Sequence, residues 1–233
     1  MKNNIIKFET PITFILIISY LVLNSYCLNN YGLTDFRSFI LNLILVFIIV
    51  IYIFKNNLGS YYGLTSFPKL SQYLYFLPLL LMISVNLWNG ININNTTTEI
   101  IIFMLTMFLI GFLEEIIFRG FLFKMMAKDN VKLAIIVSSV TFGVGHVINL
   151  FNGASLIPTL LQIMYATSGG FLFVIIFYKS NSLWPCIITH SLINALSIFN
   201  NVENTLSLYI APLFLILISF LYAGYIIKSQ NKL

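Results

Sequence analysis

Eight mostly apolar runs follow one another along the chain. Each is close to the length of about 20 residues that a membrane-spanning helix needs. They cover Pro11–Leu28, Ser38–Phe54, Gln72–Trp88, Thr97–Met126, Val131–Leu150, Pro158–Tyr178, Ser182–Phe199 and Thr205–Ile227. Helix-end signals agree with these limits. Thr96-Thr97-Thr98-Glu99 reads as a capping box opening the fourth run, and Asn152-Gly153 as the turn between the fifth and sixth. Pro158 suits the first turn of the sixth, and Asn181 or Ser182 caps the seventh, with Pro185 in its opening turn. Gly143, Gly145, Gly169 and Gly170 are expected to permit close helix approach, and Pro212 to kink the last run. Backbone in lipid must satisfy its hydrogen bonds within each helix. The pattern therefore predicts an all-α, polytopic integral-membrane bundle of about eight transmembrane helices, one domain over residues 1–233.

Composition excludes the alternatives. Of 233 residues, 59% are hydrophobic and 8% charged, far from a soluble domain with about a quarter of its residues charged. The 22 Phe and 13 Tyr exclude disorder, which needs low hydrophobicity and high charge. Cys27 and Cys186 are too few for a disulfide scaffold and have no metal-ligand spacing. Lys2 and Lys7 precede an apolar core as in a signal peptide, but Asn24-Ser25-Tyr26-Cys27 offers neither a small-x-small cleavage site nor a lipoprotein box. The net charge of +5 does not point to nucleic acid, because the lysines sort by loop. With the N-terminus inside, Lys2, Lys7, Lys55, Lys69, Lys124, Lys128, Lys132, Lys179, Lys228 and Lys232 fall on the inner side, and Arg37 alone falls outside with Asp35, Glu99 and Glu203. The positive-inside rule then places both termini in the cytoplasm.

The spans are almost free of ionisable groups, and the exceptions cluster. The fourth run carries Glu114, Glu115 and Arg119; the fifth carries His146; the seventh carries His190, with Asn194 one turn on. A charge at mid-membrane costs roughly 2.5–3.5 kcal/mol on insertion scales, so these groups should face the bundle interior and find partners there. Glu115 and Arg119 have the favoured order for a helix ion pair four residues apart. Glu114 lies about 100° around the helix and has no sequence-local partner. Glu114 and His146 each lie fourteen residues from the lysines of the turn between their helices, Lys128 and Lys132, about 21 Å at 1.5 Å per residue. His190 and Asn194, eleven and fifteen residues beyond Lys179, bracket the same level.

Such a set suits hydrolysis. A carboxylate and a histidine sharing a water can make it nucleophilic, while an imidazole and an amide donate to a developing oxyanion. Cys186 is a weak candidate nucleophile, since no acid follows its neighbour His190. A Glu and two His could also hold zinc, although no H-E-x-x-H motif is present. Each residue alone has a plainer reading. Polar pairs glue membrane helices, Phe142 packs, Asn194 can be an interhelical hydrogen bond, and Gln162 and Asn149 have no assignable role.

Three motifs turn this set into a resemblance. Glu114-Glu115-Ile116-Ile117-Phe118-Arg119 fits E-E-x-x-x-R, Phe142-Gly143-Val144-Gly145-His146 fits F-x-x-x-H, and His190-Ser191-Leu192-Ile193-Asn194 fits H-x-x-x-N, with Ser182-Leu183-Trp184-Pro185 just before the last. In this order, on separate apolar helices, they resemble the CAAX-protease and bacteriocin-processing (CPBP, or Abi) family of intramembrane proteases over about residues 101–200. The resemblance implies a glutamic-type endopeptidase, formerly classed as a metalloprotease, with its site within the membrane. Glu114 and His146 would activate water, His190 and Asn194 would form the oxyanion pocket, and Glu115, Arg119 and Phe142 would support them. It implies no cofactor, with zinc as the alternative. The expected partner is a peptide or membrane-anchored protein substrate in the lipid bilayer. Richness in Ile, Asn and Lys suggests a bacterial cell membrane and a role in peptide maturation. Two other functions compete: a non-enzymatic membrane scaffold or bacteriocin self-immunity protein, and a small transporter, which usually shows a repeat not found here.

Overall fold

A computed structural model describes residues 9–66, 76–201 and 205–229. Lys2, Lys7, Lys69, Glu203, Lys232 and the start of the third predicted run, residues 72–75, lie outside the described residues. The helices are α1 (Glu9–Asn30), α2 (Phe36–Lys55), a short α3 (Leu77–Ser84), α4 (Thr97–Glu115), α5 (Val131–Gly145), a one-turn α6 (Ile148–Phe151), α7 (Leu156–Ser180), α8 (Trp184–Leu196) and α9 (Thr205–Lys228). The only strand-like pairing among the described residues is an isolated antiparallel bridge between Ile91 and Asn200.

The polytopic helical bundle expected from the sequence is present, but the seventh predicted span is shorter than expected, and the third is described only in part. Among the described residues, six helical stretches are long and apolar enough to cross a membrane, whereas Leu77–Leu87 and Trp184–Phe199 are shorter apolar helices. For the second the cause is local. Asn181 adopts a left-handed conformation with φ 53° and ends α7, so α8 starts only at Trp184 with Pro185 in its first turn. Neither Asn181 nor Ser182 caps α8; Leu183 occupies that position without a side-chain bond. At the far end a 3-10 turn, Ser197–Phe199, leads into the Asn200 bridge. A short helix is tolerated here because much of α8, including Ile187, Thr189, His190 and Ser191, packs against protein.

Two helices depart from regular form. The capping box forms as read, with Thr96 accepting from Glu99 N and Glu99 accepting from Thr96 N. From there the helix runs to Glu115 and continues as a π-helix, Ile116–Phe123, before a last turn, Lys124–Met126. The fifth run is not one helix. His146 N bonds to Gly143 O at 3.1 Å in a tightened turn, and the chain restarts as α6 at Ile148.

Glycine contacts correct the sequence reading in part. A Cβ on Gly143 would lie 2.8 Å from Ile163 O and 2.9 Å from Thr167 N, so α5 and α7 meet backbone to backbone there. At Gly170 it would lie 3.0 Å from Arg119 Nη2. Gly145 meets nothing closer than 3.9 Å and Gly169 nothing within 4 Å, so these two do not mediate close packing. The interior is largely aromatic and aliphatic, with Phe118, Phe121, Phe123, Phe177 and Tyr62 buried. At one end, Glu9 of α1 pairs with Lys128 and accepts from Tyr62, and Leu183 N bonds to Gly63 O at 3.1 Å. At the other, Ser25 and Asn29 of α1 donate to Asn152 Oδ1 at 2.7 and 3.0 Å.

Candidate active site

Glu114 and Glu115 close the regular part of α4, and the π turn starts at the next residue. Such turns are rare and concentrate at functional sites. This one is buried throughout, and its Phe118 carbonyl accepts from Ser138 Oγ of α5 at 2.8 Å. That bond ties the two glutamates to the helix that carries Phe142 and leads into His146.

α8 reaches α4 through Gly111, where a Cβ would lie 2.9 Å from both the Cα and the N of Ser191. Only glycine allows this approach, which sets His190 against both carboxylates. His190 Nε2 lies 3.1 Å from Glu114 Oε2, and Nδ1 lies 2.8 Å from Glu115 Oε1. A neutral imidazole has one donor and one acceptor, while an ionised carboxylate only accepts. Both ring nitrogens can therefore donate at once only when the ring carries a second proton.

Behind the ring, Glu115 Oε1 faces Arg119 Nη1 at 3.2 Å, with both side chains fully buried. This is the ion pair read from the sequence. The guanidinium makes no hydrogen bond of good geometry. Instead it lies over the Phe142 ring, 4.1 Å from the centroid, and nears Phe173 at 5.8 Å, where ring faces attract a cation. Phe142 turns its ring edgewise to His146 and His190, with centroids at 5.2 and 5.5 Å. One aromatic side chain thus contacts the arginine and both imidazoles. His146 Nδ1 lies 3.1 Å from Phe142 O. The imidazole in contact with Glu114 is His190, whereas the sequence reading paired Glu114 with His146.

The second partner of Glu114 comes from outside the motifs. Tyr20 of α1 donates its hydroxyl to Glu114 Oε1 at 2.5 Å. Nothing in the motif spacing marks Tyr20, although Asn24 one turn on makes a short polar stripe in an apolar helix. Glu114, Phe142, His146, His190 and Asn194 all line one cavity of about 560 Å³, together with Tyr20. Glu115 and Arg119 are not part of its wall. Asn149 and Gln162, which had no assigned role, bond to each other at 2.8 Å on the same wall. Cys186 is buried and donates to Phe173 O at 3.3 Å, away from this wall. Among the described residues no group of three or more His, Cys, Asp or Glu side chains is placed to hold a metal ion.

Residues 96–196 match the family described as type II CAAX prenyl endopeptidase Rce1-like. Over that core the chain is similar to the CPBP family. The match takes in all three motifs. It begins after α1–α3 and ends before α9, so Tyr20 lies outside it. No curated protein and no solved structure matches the chain.

Proposed function

We infer that the protein is an intramembrane endopeptidase that hydrolyses a peptide bond of a membrane-associated or hydrophobic peptide or protein, with Glu114 as the base. The observation that carries this reading is the placement of Glu114, two imidazoles and the Asn194 segment on one cavity inside an apolar bundle. In this reaction Glu114 takes a proton from water, and the hydroxide oxygen bonds to the scissile carbonyl carbon. The carbonyl π pair moves onto its oxygen, where His190 and Asn194 donate to it. Collapse restores the carbonyl and breaks the C–N bond, and Glu114 returns the proton to the leaving nitrogen.

Each neighbour then has a task. Glu115 accepts from His190 Nδ1, and Nε2 also donates when the ring carries both protons, while Arg119 balances Glu115. His146, with Nδ1 donating to Phe142 O, is left with Nε2 as an acceptor for the second hydrogen of the water.

The test compares membranes from cells producing the wild-type protein or Glu114→Gln by mapping new peptide N-termini. Termini in or beside membrane segments that occur only with the wild type support hydrolysis. Identical maps, with the variant present at wild-type level, contradict it and leave the scaffold or immunity role.

A further inference from the structure

The first helix holds the bundle through polar contacts on its inner side, while Phe14, Ile15, Ile18 and Val22 face outward. Glu9 fastens one end to Lys128, and Ser25 and Asn29 fasten the other to Asn152. Between these anchors Tyr20, only 5% exposed, sends its hydroxyl to Glu114. Packing alone would be served by Phe. A buried hydroxyl is costly without a partner, so its presence 2.5 Å from the one carboxylate on the cavity wall calls for a chemical account.

We propose that Tyr20 is a positioning residue for Glu114, so that the working site extends beyond residues 96–196 to the first helix. This role presupposes that Glu114 is the base. A carboxylate offers about four lone-pair sites. Tyr20 takes one on Oε1, and His190 Nε2 stands 3.1 Å from Oε2, which fixes the carboxylate plane and leaves the remaining sites for a solvent proton. A hydroxyl both donates and accepts. When Glu114 carries the proton, Tyr20 can turn its hydrogen away and accept, so the carboxyl keeps its place through both halves of the reaction. Without Tyr20, the carboxylate is held on one oxygen only and can rotate about its last torsion towards His190.

The test measures initial rates of appearance of the Glu114-dependent termini in isolated membranes across a pH series. The expected result is that Tyr20→Phe lowers the rate about ten- to a hundredfold, the range for losing one hydrogen bond to a charged group, and displaces the pH profile by about one unit. Tyr26→Phe, the same change on an exposed tyrosine of the same helix, leaves both rate and profile unchanged. Replacing Tyr20 with 3,5-difluorotyrosine preserves shape and alters only the acidity of the hydroxyl, so it separates chemistry from folding. A profile that moves on fluorination supports the positioning role. Wild-type rate and profile in both Tyr20 variants overturn it. If the wild-type membranes yield no Glu114-dependent termini at all, the hydrolytic reading itself has failed, and the role of Tyr20 fails with it.

Discussion

Arg119 shows how tightly the charges of the site depend on one another. It is fully buried, lies against Phe142, and has Glu115 as its only ion partner among the described residues. Removing one member of a buried pair leaves the other charge uncompensated, at a cost of about 3–5 kcal/mol. Glu115→Gln should therefore lower the melting temperature in detergent micelles sharply. Glu114→Gln should lower it far less, because an amide can still bond Tyr20 and His190. An Asn194→Ala variant should keep the melting temperature and lose about 10²–10³ in kcat, the range for one oxyanion donor; single-turnover cleavage checks this. These residues were legible in the sequence because an ionisable group in an apolar span must have a partner or a use. Tyr20 was not, because a tyrosine in an apolar helix costs little and is read as packing until its hydroxyl is seen on Glu114.

Helices meet at this site through small residues. The approach at Gly111 places α8 so that His190 reaches both glutamates, and a Cβ would press on the Ser191 backbone at 2.9 Å. Gly111→Ala is expected to destabilise the protein by about 1–3 kcal/mol, as overpacking does, and to abolish cleavage by shifting His190. Gly169→Ala, with nothing within 4 Å of its Cβ, should leave melting and cleavage at wild-type values. Paired melting and cleavage assays of the two variants measure the contrast. The sequence reading had assigned close approach to Gly169 and passed over Gly111. Periodicity marks which residues are small but not which face meets a neighbour. For the same reason the π turn after Glu115 and the break at His146 were not visible. Both depend on hydrogen bonds to other helices or to a tightened turn, such as Ser138 to Phe118 and His146 to Gly143.

Taken together, the bundle combines lipid-length helices with a shorter helix, α8, about half of whose residues are buried. Hydropathy was enough to find the helices and their order, since each apolar run exceeds what a soluble fold would show. It overestimated α8, because an interior helix is as apolar as a spanning one whatever its length. The arrangement gives the site two features that chemistry inside a membrane requires: charges neutralised against one another, and a cavity of about 560 Å³ beside them. Purified protein in lipid vesicles, supplied with a membrane-embedded substrate found by the terminus mapping, provides the decisive comparison. Wild type should cleave it, and Glu114→Gln should cleave it about a thousandfold more slowly or not at all while remaining folded. Undiminished cleavage by folded Glu114→Gln would show that the carboxylate at the centre of this site is not the base.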